Sequence, residues 1–208
     1  MPATDLAADR VHTLNLTGGL FVRGLNQCLI GLGVALAMAS GAAYAARGNT
    51  VMELNSSAFA QLADIPSQHT CEGSDQSPPL AWSGVPAGAK SLALIVDDPD
   101  APDPAAPRMT WVHWVLYNLP PGTTGIEAGK SRASDLPAGT RQGLNDWKRE
   151  GYGGPCPPIG RHRYVHKLYA LDIVLPVLQP ATKAALEKAM QGHILAVSEL
   201  VGYYKKKK

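Results

Sequence analysis

Trp111-Val112-His113-Trp114-Val115-Leu116-Tyr117-Asn118-Leu119 has the composition of a buried β-strand: apolar, β-branched and aromatic, with no glycine or proline to break it. Strand alternation puts Trp111, His113, Val115 and Tyr117 on one face, and Val112, Trp114 and Leu116 on the other. Large side chains on both faces predict an interior strand covered from two sides. Two runs of the same character lie on either side of it in the chain, Ser91–Val96 (SLALIV) and Tyr164–Val174 (YVHKLYALDIV). Every proline after Pro2 falls between Pro66 and Pro180, and this punctuation leaves no room there for long helices. The tail changes character. Thr182 is placed to cap a helix through Ala184, Ala185, Leu186, Lys188 and Ala189, which Gly192 ends. Three- and four-residue spacing of Ile194, Leu195, Val197, Leu200 and Val201 predicts a second helix. The expected class is mainly β, a β-rich α+β domain with C-terminal helices.

The chain's 208 residues suffice for one domain with a real core. With 17% charged and 45% hydrophobic residues, it does not have a disordered composition. The formal charge is +2, and the Lys205–Lys208 run alone exceeds it, so the remainder is net negative and offers no basic face to nucleic acid. Phe21 and Phe59 are the only phenylalanines, which also speaks against an RNA-stacking sheet. Three cysteines exclude a disulfide-scaffold miniprotein and a four-cysteine zinc site.

Residues 1–45 are expected to lie outside the fold. After Arg23 no charge occurs until Arg47, and within that run Leu29–Ala39 (LIGLGVALAMA) is apolar and is followed by Ala43-Tyr44-Ala45. A basic residue, a short apolar stretch and a small-x-small end describe a secretory signal peptide cut after Ala45. A retained membrane anchor is the alternative, weakened by Gly24, Asn26, Gln27, Gly31, Gly33 and Gly41. Cleavage would leave residues 46–208 as one periplasmic or secreted domain.

Three segments concentrate the chemistry. Asp97-Asp98-Pro99-Asp100-Ala101-Pro102 places three acids in four positions at a strand end; they must point apart or meet a ligand, or else form a polar turn. His113 sits between two tryptophans, as a functional or a core histidine. Gly151-Tyr152-Gly153-Gly154-Pro155-Cys156-Pro157-Pro158 is a stiff loop whose glycines permit close approach of a ligand and whose N–H groups could cradle an anion. It delivers His162 and Tyr164 to one face of the next strand, while Arg163 faces the other way and is expected to pair with an acid. A two-His-one-carboxylate metal site from Asp98, His113 and His162 would rest on strand residues far apart in sequence; no metal or cofactor is expected. No Gly-x-Ser-x-Gly, Walker, His-Glu-x-x-His or Cys-x-x-Cys pattern is present.

Ser77-Pro78-Pro79-Leu80-Ala81-Trp82, Asp98–Pro102, Trp111-Val112-His113, and Gly154–Pro158 followed by His162-Arg163-Tyr164 occur in this order. Together they resemble the phosphatidylethanolamine-binding protein family, in particular its bacterial branch of Raf-kinase-inhibitor-like proteins, over roughly Val51–Tyr204. The resemblance implies a central sheet packed by a smaller antiparallel sheet, with helices at the edge and C-terminus. It also implies a small preformed cavity for phosphate-like anions and phospholipid head groups. Carried over by motif, the pocket residues are Asp98, Pro102, Trp111, His113, His162 and Tyr164, with the Gly154–Pro158 backbone, Gly154 and Pro155 included, as one wall. Ala101–Pro102 is expected to be cis. Val112 stands where many eukaryotic members carry a further histidine.

The expected mechanism has Asp98 orienting His113 or His162 and raising its pKa, so that imidazolium, Tyr164 and loop N–H groups donate to the anion. Cys71 and Cys156, the cysteines left after cleavage, either pair and clamp the loop in an oxidising compartment or stay as free thiols. Two other functions remain: a protein inhibitor of a protease or kinase acting through the pocket rim, and, less well supported, a hydrolase using His113 or His162 as base.

Overall fold

The computed structural model describes residues 51–207; the expected signal peptide, residues 1–45, lies outside them. In chain order the elements are β1 (Glu53–Asn55), β2 (Leu80–Ser83), β3 (Ser91–Ala101), β4 (Met109–Leu119), β5 (Gly125–Ile126), β6 (Arg141–Gln142), β7 (His162–Leu171), α1 (Lys183–Met190) and β8 (Ile194–Tyr204). They form a five-stranded sheet in the order β6-β4-β3-β7-β8 and a three-stranded sheet β1-β2-β5, antiparallel throughout.

The large sheet is covered on both faces, as the double-sided apolar pattern predicts. On one face Leu92, Leu94, Val96, Trp114, Leu116 and Leu168 pack against Met52, Leu54, Leu80, Trp82 and Ile126 of the small sheet and its flank. On the other, Ala93, Ile95, Val115 and Tyr117 meet Leu186 and Met190 of α1, which are essentially fully buried. Each large aliphatic or aromatic side chain buried this way contributes ~1.5–3 kcal/mol before conformational entropy is subtracted. The Thr182 cap is present: its hydroxyl accepts from the Ala185 N–H at 3.2 Å.

The second helix is not there. Residues Ile194–Tyr204 form β8, paired along β7 from His162↔Tyr204 to Leu171↔Ile194. Its inward positions include Ala196, Ser198 and Gly202, residues that leave no hydrophobic signature. At Gly202 a Cβ would stand 2.5 Å from the Ile65 side chain and 2.7 Å from Phe59, so the small residue is what lets this strand close the core. Helical spacing of the remaining apolar residues is overridden by a complete hydrogen-bonded partner in β7. The helices expected at the C-terminus therefore reduce to α1.

Two further differences bear on function. The acids at 97–100 lie within the last residues of β3, which runs on past Val96 to Ala101, and each has its own partner. Asp97, fully buried on the α1 face, meets Lys167 Nζ at 3.1 Å and Lys183 Nζ at 2.5 Å, tying the helix to the sheet. Asp98 meets His162, and Asp100 takes the Arg163 guanidinium in a two-pronged pair at 2.6–3.2 Å. Arg163 thus pairs with an acid, as expected. In β4 the alternation breaks: the β3 register passes from Val96↔Trp114 to Asp97↔Val112, a bulge at His113. Val112 consequently joins Val115 and Tyr117 on the α1 face instead of sharing a face with Trp114. The bulge turns Trp111 and His113 toward the end of the sheet where β3 stops and β7 begins.

Candidate functional site

At that end lies a cavity of about 350 Å³ lined by Asp98, Ala101 and Pro102 of β3 and the turn after it, and by Met109, Trp111 and His113 of β4. His162 and Tyr164 of β7, Cys156, Pro157, Pro158 and Trp147 complete the wall. Asp98, Pro102, Trp111, His113, His162 and Tyr164 therefore converge. Ala101–Pro102 is cis. Of the loop residues expected to form a wall, Gly154 and Pro155 lie behind the lining that Cys156–Pro158 provide. Trp147 and Met109 are lining residues that sequence reasoning missed; Trp147 stands on an irregular turn, edge-on to His113 at 5.1 Å and to Trp111 at 5.4 Å.

The expected imidazolium at His113 is replaced by a neutral ring. His113 Nδ1–H donates to Gly153 O at 2.6 Å, not to Asp98, and burial pushes its pKa down to about 4, outweighing the opposing effect of the Gly153 bond. Near neutral pH the nitrogen left for a ligand, Nε2, is an acceptor. His162 is the residue Asp98 orients, with Nδ1 2.7 Å from Asp98 Oδ2. Its Nε2–H donates to Ile159 O at 2.8 Å, so both ring nitrogens are committed to the protein. It has no N–H left to offer into the cavity. One proton lies between His162 Nδ1 and Asp98 Oδ2, and the pair is neutral as a unit whichever atom holds it. Burial raises the Asp98 pKa, against the His162 bond and the Asp100 N–H that donates to Oδ1 at 2.8 Å.

Tyr164 is the free donor. Its ring is 1% exposed and its hydroxyl has no hydrogen-bond partner among the described residues, a costly state for a buried polar group unless something enters the cavity. Burial raises its pKa, and the Asp98 carboxyl, near enough for at most a weak and poorly aligned hydrogen bond, acts in the same direction, so the hydroxyl keeps its proton.

The loop supplies less than its glycines suggest. Pro155, Pro157 and Pro158 carry no N–H, and the Gly154 N–H donates to Asp75 Oδ1 at 2.7 Å. Within Gly154–Pro158 only the Cys156 N–H is unclaimed among the described residues. The glycines serve the protein's own packing: a Cβ at Gly153 would sit 2.5 Å from the Trp147 ring, and one at Gly154 2.5 Å from His69 O. Cys71 and Cys156 form a disulfide with Cα atoms 5.4 Å apart, and the Cys71 N–H donates to Pro155 O at 3.1 Å. Of the two bases that the hydrolase reading named, His162 has both ring nitrogens engaged, while His113 keeps Nε2 as an acceptor. Among the described residues no group of three or more His, Cys, Asp or Glu side chains is placed to hold a metal ion.

The family model for phosphatidylethanolamine-binding protein matches residues 55–205. The chain belongs to that family. A UPF0098 protein of the archaeon Methanothermobacter thermautotrophicus is 50% identical to this family member over 155 residues, 74% of this chain and 99% of that protein. The homologue CT736 from Chlamydia trachomatis superposes with a TM-score of 0.69 at 43% identity, over 76% of this chain and 99% of that one. YbcL of E. coli, described as a member of the mammalian family, gives 0.68 at 33% identity over 75% and 99%. With an archaeal relative this similar, the likeness reaches beyond the bacterial branch expected from the motifs. The two-sheet fold expected of a phosphatidylethanolamine-binding protein is the fold observed.

Proposed function

We propose that this member of the family is an exported small-ligand-binding protein whose cavity receives a phosphate-like oxyanion or phospholipid head group and whose occupancy has a regulatory role. The observation that carries the reading is the buried, unpartnered Tyr164 hydroxyl on the cavity wall. It is a donor already desolvated and held in place, so an oxyanion arriving there gains a charge-assisted hydrogen bond at little reorganisation cost. The Asp98–His162 contact supports the same reading, because a carboxyl sharing a proton with an imidazole does not confront the anion with a bare charge. Export is supported by the Cys71–Cys156 disulfide, which suits an oxidising compartment.

Removing the phenol hydroxyl tests the reading. Tyr164→Phe is expected to weaken inorganic phosphate binding by ~10- to 100-fold, the worth of a hydrogen bond to a charged group, with the fold intact by circular dichroism. Equal affinities of the two proteins in calorimetric titration would remove Tyr164 from the site and the oxyanion with it.

A second reading, inhibition of a protease or kinase through the rim, draws on Met109, Trp147 and Ile159, which are 51%, 41% and 58% exposed around the mouth and its outer wall. A stable complex with such an enzyme on gel filtration would favour it.

A further inference from the structure

The oxyanion reading leaves open which phosphate the cavity prefers, and the inventory of donors and acceptors on its wall bears on that choice. Among the described residues no lysine or arginine lines it. Arg163, the cation nearest in sequence to the β7 site residues, is held on Asp100. The Asp98–His162 pair is neutral as a unit and has no ring nitrogen left to give. The firm donor is the Tyr164 hydroxyl; Cys156, whose N–H is unclaimed among the described residues, also lines the wall. Opposed to these stands an acceptor, His113 Nε2, whose role is set by the Nδ1–H bond to Gly153 O. A fully deprotonated oxyanion would press a lone pair against that nitrogen, with no cation in the wall to compensate. A ligand that carries one acidic O–H on the same tetrahedral centre satisfies both sides.

We infer that the cavity selects inorganic phosphate or a phosphomonoester in its protonated monoanionic form, the ligand's P–OH donating to His113 Nε2 while its other oxygens accept from Tyr164, and that phosphodiesters and sulfate are discriminated against. The inference rests on the oxyanion reading above and narrows it. An intact diacyl phospholipid, a diester, has no such proton to offer, so the preferred ligand is a free head group or a terminal phosphate rather than a bilayer lipid.

The groups around the His113 ring leave it neutral near pH 7. Asp97 and Asp98 face it from β3, Asp146 and Trp147 from the turn after β6, and His162, Tyr164 and His166 from β7. Asp97 is neutralised by two lysines, and Asp146 Oδ2 accepts from the Val112 N–H at 2.7 Å. Burial dominates, and His113 takes a proton of its own only near pH 4. Around neutrality the proton in the Nε2–phosphate contact must come with the ligand. A phosphomonoester loses it with a second pKa of ~6, so affinity falls about tenfold for each pH unit above that value.

Calorimetric titration of the whole, disulfide-bonded protein with four probes tests this: inorganic phosphate, phosphoethanolamine, the diester glycerophosphoethanolamine, and sulfate, each at pH 6 and pH 8. Phosphate and phosphoethanolamine are expected to bind at least tenfold more tightly than the diester or sulfate at pH 6. Phosphoethanolamine should lose roughly 50-fold by pH 8, the fall of its monoanion fraction. Glycerophosphoethanolamine or sulfate matching the monoester, or monoester affinity that is level from pH 6 to 8, would overturn the selection while leaving the oxyanion site in place. Failure of all four probes to bind would overturn both.

Discussion

Acidification from pH 6.5 to 4 is expected to remove about 5 kcal/mol of folding stability through two histidines, His113 and His166. Both are buried, and burial lowers the pKa of each to about 4 in the folded protein. Neither nitrogen of His166 has a hydrogen-bond partner of good geometry among the described residues, and its ring packs against Phe59 at 5.6 Å. In the unfolded chain both rings take a proton near pH 6.5. Between pH 6.5 and 4 the unfolded state therefore binds more protons than the folded one, and stability falls as the pH falls. The loss is comparable to the whole stability of many domains, ~5–15 kcal/mol, so the protein should unfold cooperatively in this window. Urea melts at half-unit pH intervals measure it. His166→Leu, which replaces an orphaned imidazole with an apolar side chain of similar size, should roughly halve the acid loss and hold or raise stability at pH 7. An acid dependence identical to that of the parent would show that His166 does not titrate as its surroundings imply.

Reduction of the Cys71–Cys156 disulfide is the second large effect. The bridge spans 85 residues of sequence, and constraint of so long a loop in the unfolded chain is worth ~4–5 kcal/mol in the chain-entropy model. For a domain of this size that amounts to roughly 10 °C or more in Tm. Both cysteines are exposed, so a dithiol reductant reaches them without unfolding the domain. The consequence extends to function, since Cys156 lines the cavity and the bridge fastens its wall to the segment around His69–Asp75. Cys71→Ser with Cys156→Ser, compared with the parent by scanning calorimetry with and without reductant, measures the effect. An unchanged Tm would mean that the hydrogen bonds from Gly154 to Asp75 and from Tyr152 to His69 hold the wall by themselves.

Much of this site was legible because strands announce their faces. The runs that became β3, β4 and β7 are apolar on both sides, and two-residue spacing placed His162 and Tyr164 together and Arg163 away from them. The pairing of Arg163 with Asp100 follows from the same alternation. What stayed hidden depends on long-range contact. β8 presents alanine, serine and glycine inward, Phe59 and Ile65 occupy the space above Gly202, and pairing with β7 makes the segment a strand. The bulge at His113 is a register event between β3 and β4, invisible in either strand alone. Trp147 reaches the cavity from a turn without periodicity. The state of His113 is set by a carbonyl forty residues away in sequence, at Gly153, and no pattern in the chain marks that bond. The scarcity of loop donors, by contrast, was there to be read, since three of the five residues in Gly154–Pro158 are prolines.

Crystallising the protein with phosphoethanolamine is the most direct test of the central claim, that an oxyanion occupies the hollow where β3, β4 and β7 meet. The phosphate is predicted within hydrogen-bond distance of Tyr164 Oη and on the His113 side of the cavity, with the Asp98–His162 contact unbroken. Phosphate bound elsewhere on the surface while the Tyr164 hydroxyl still lacks a ligand would contradict the account.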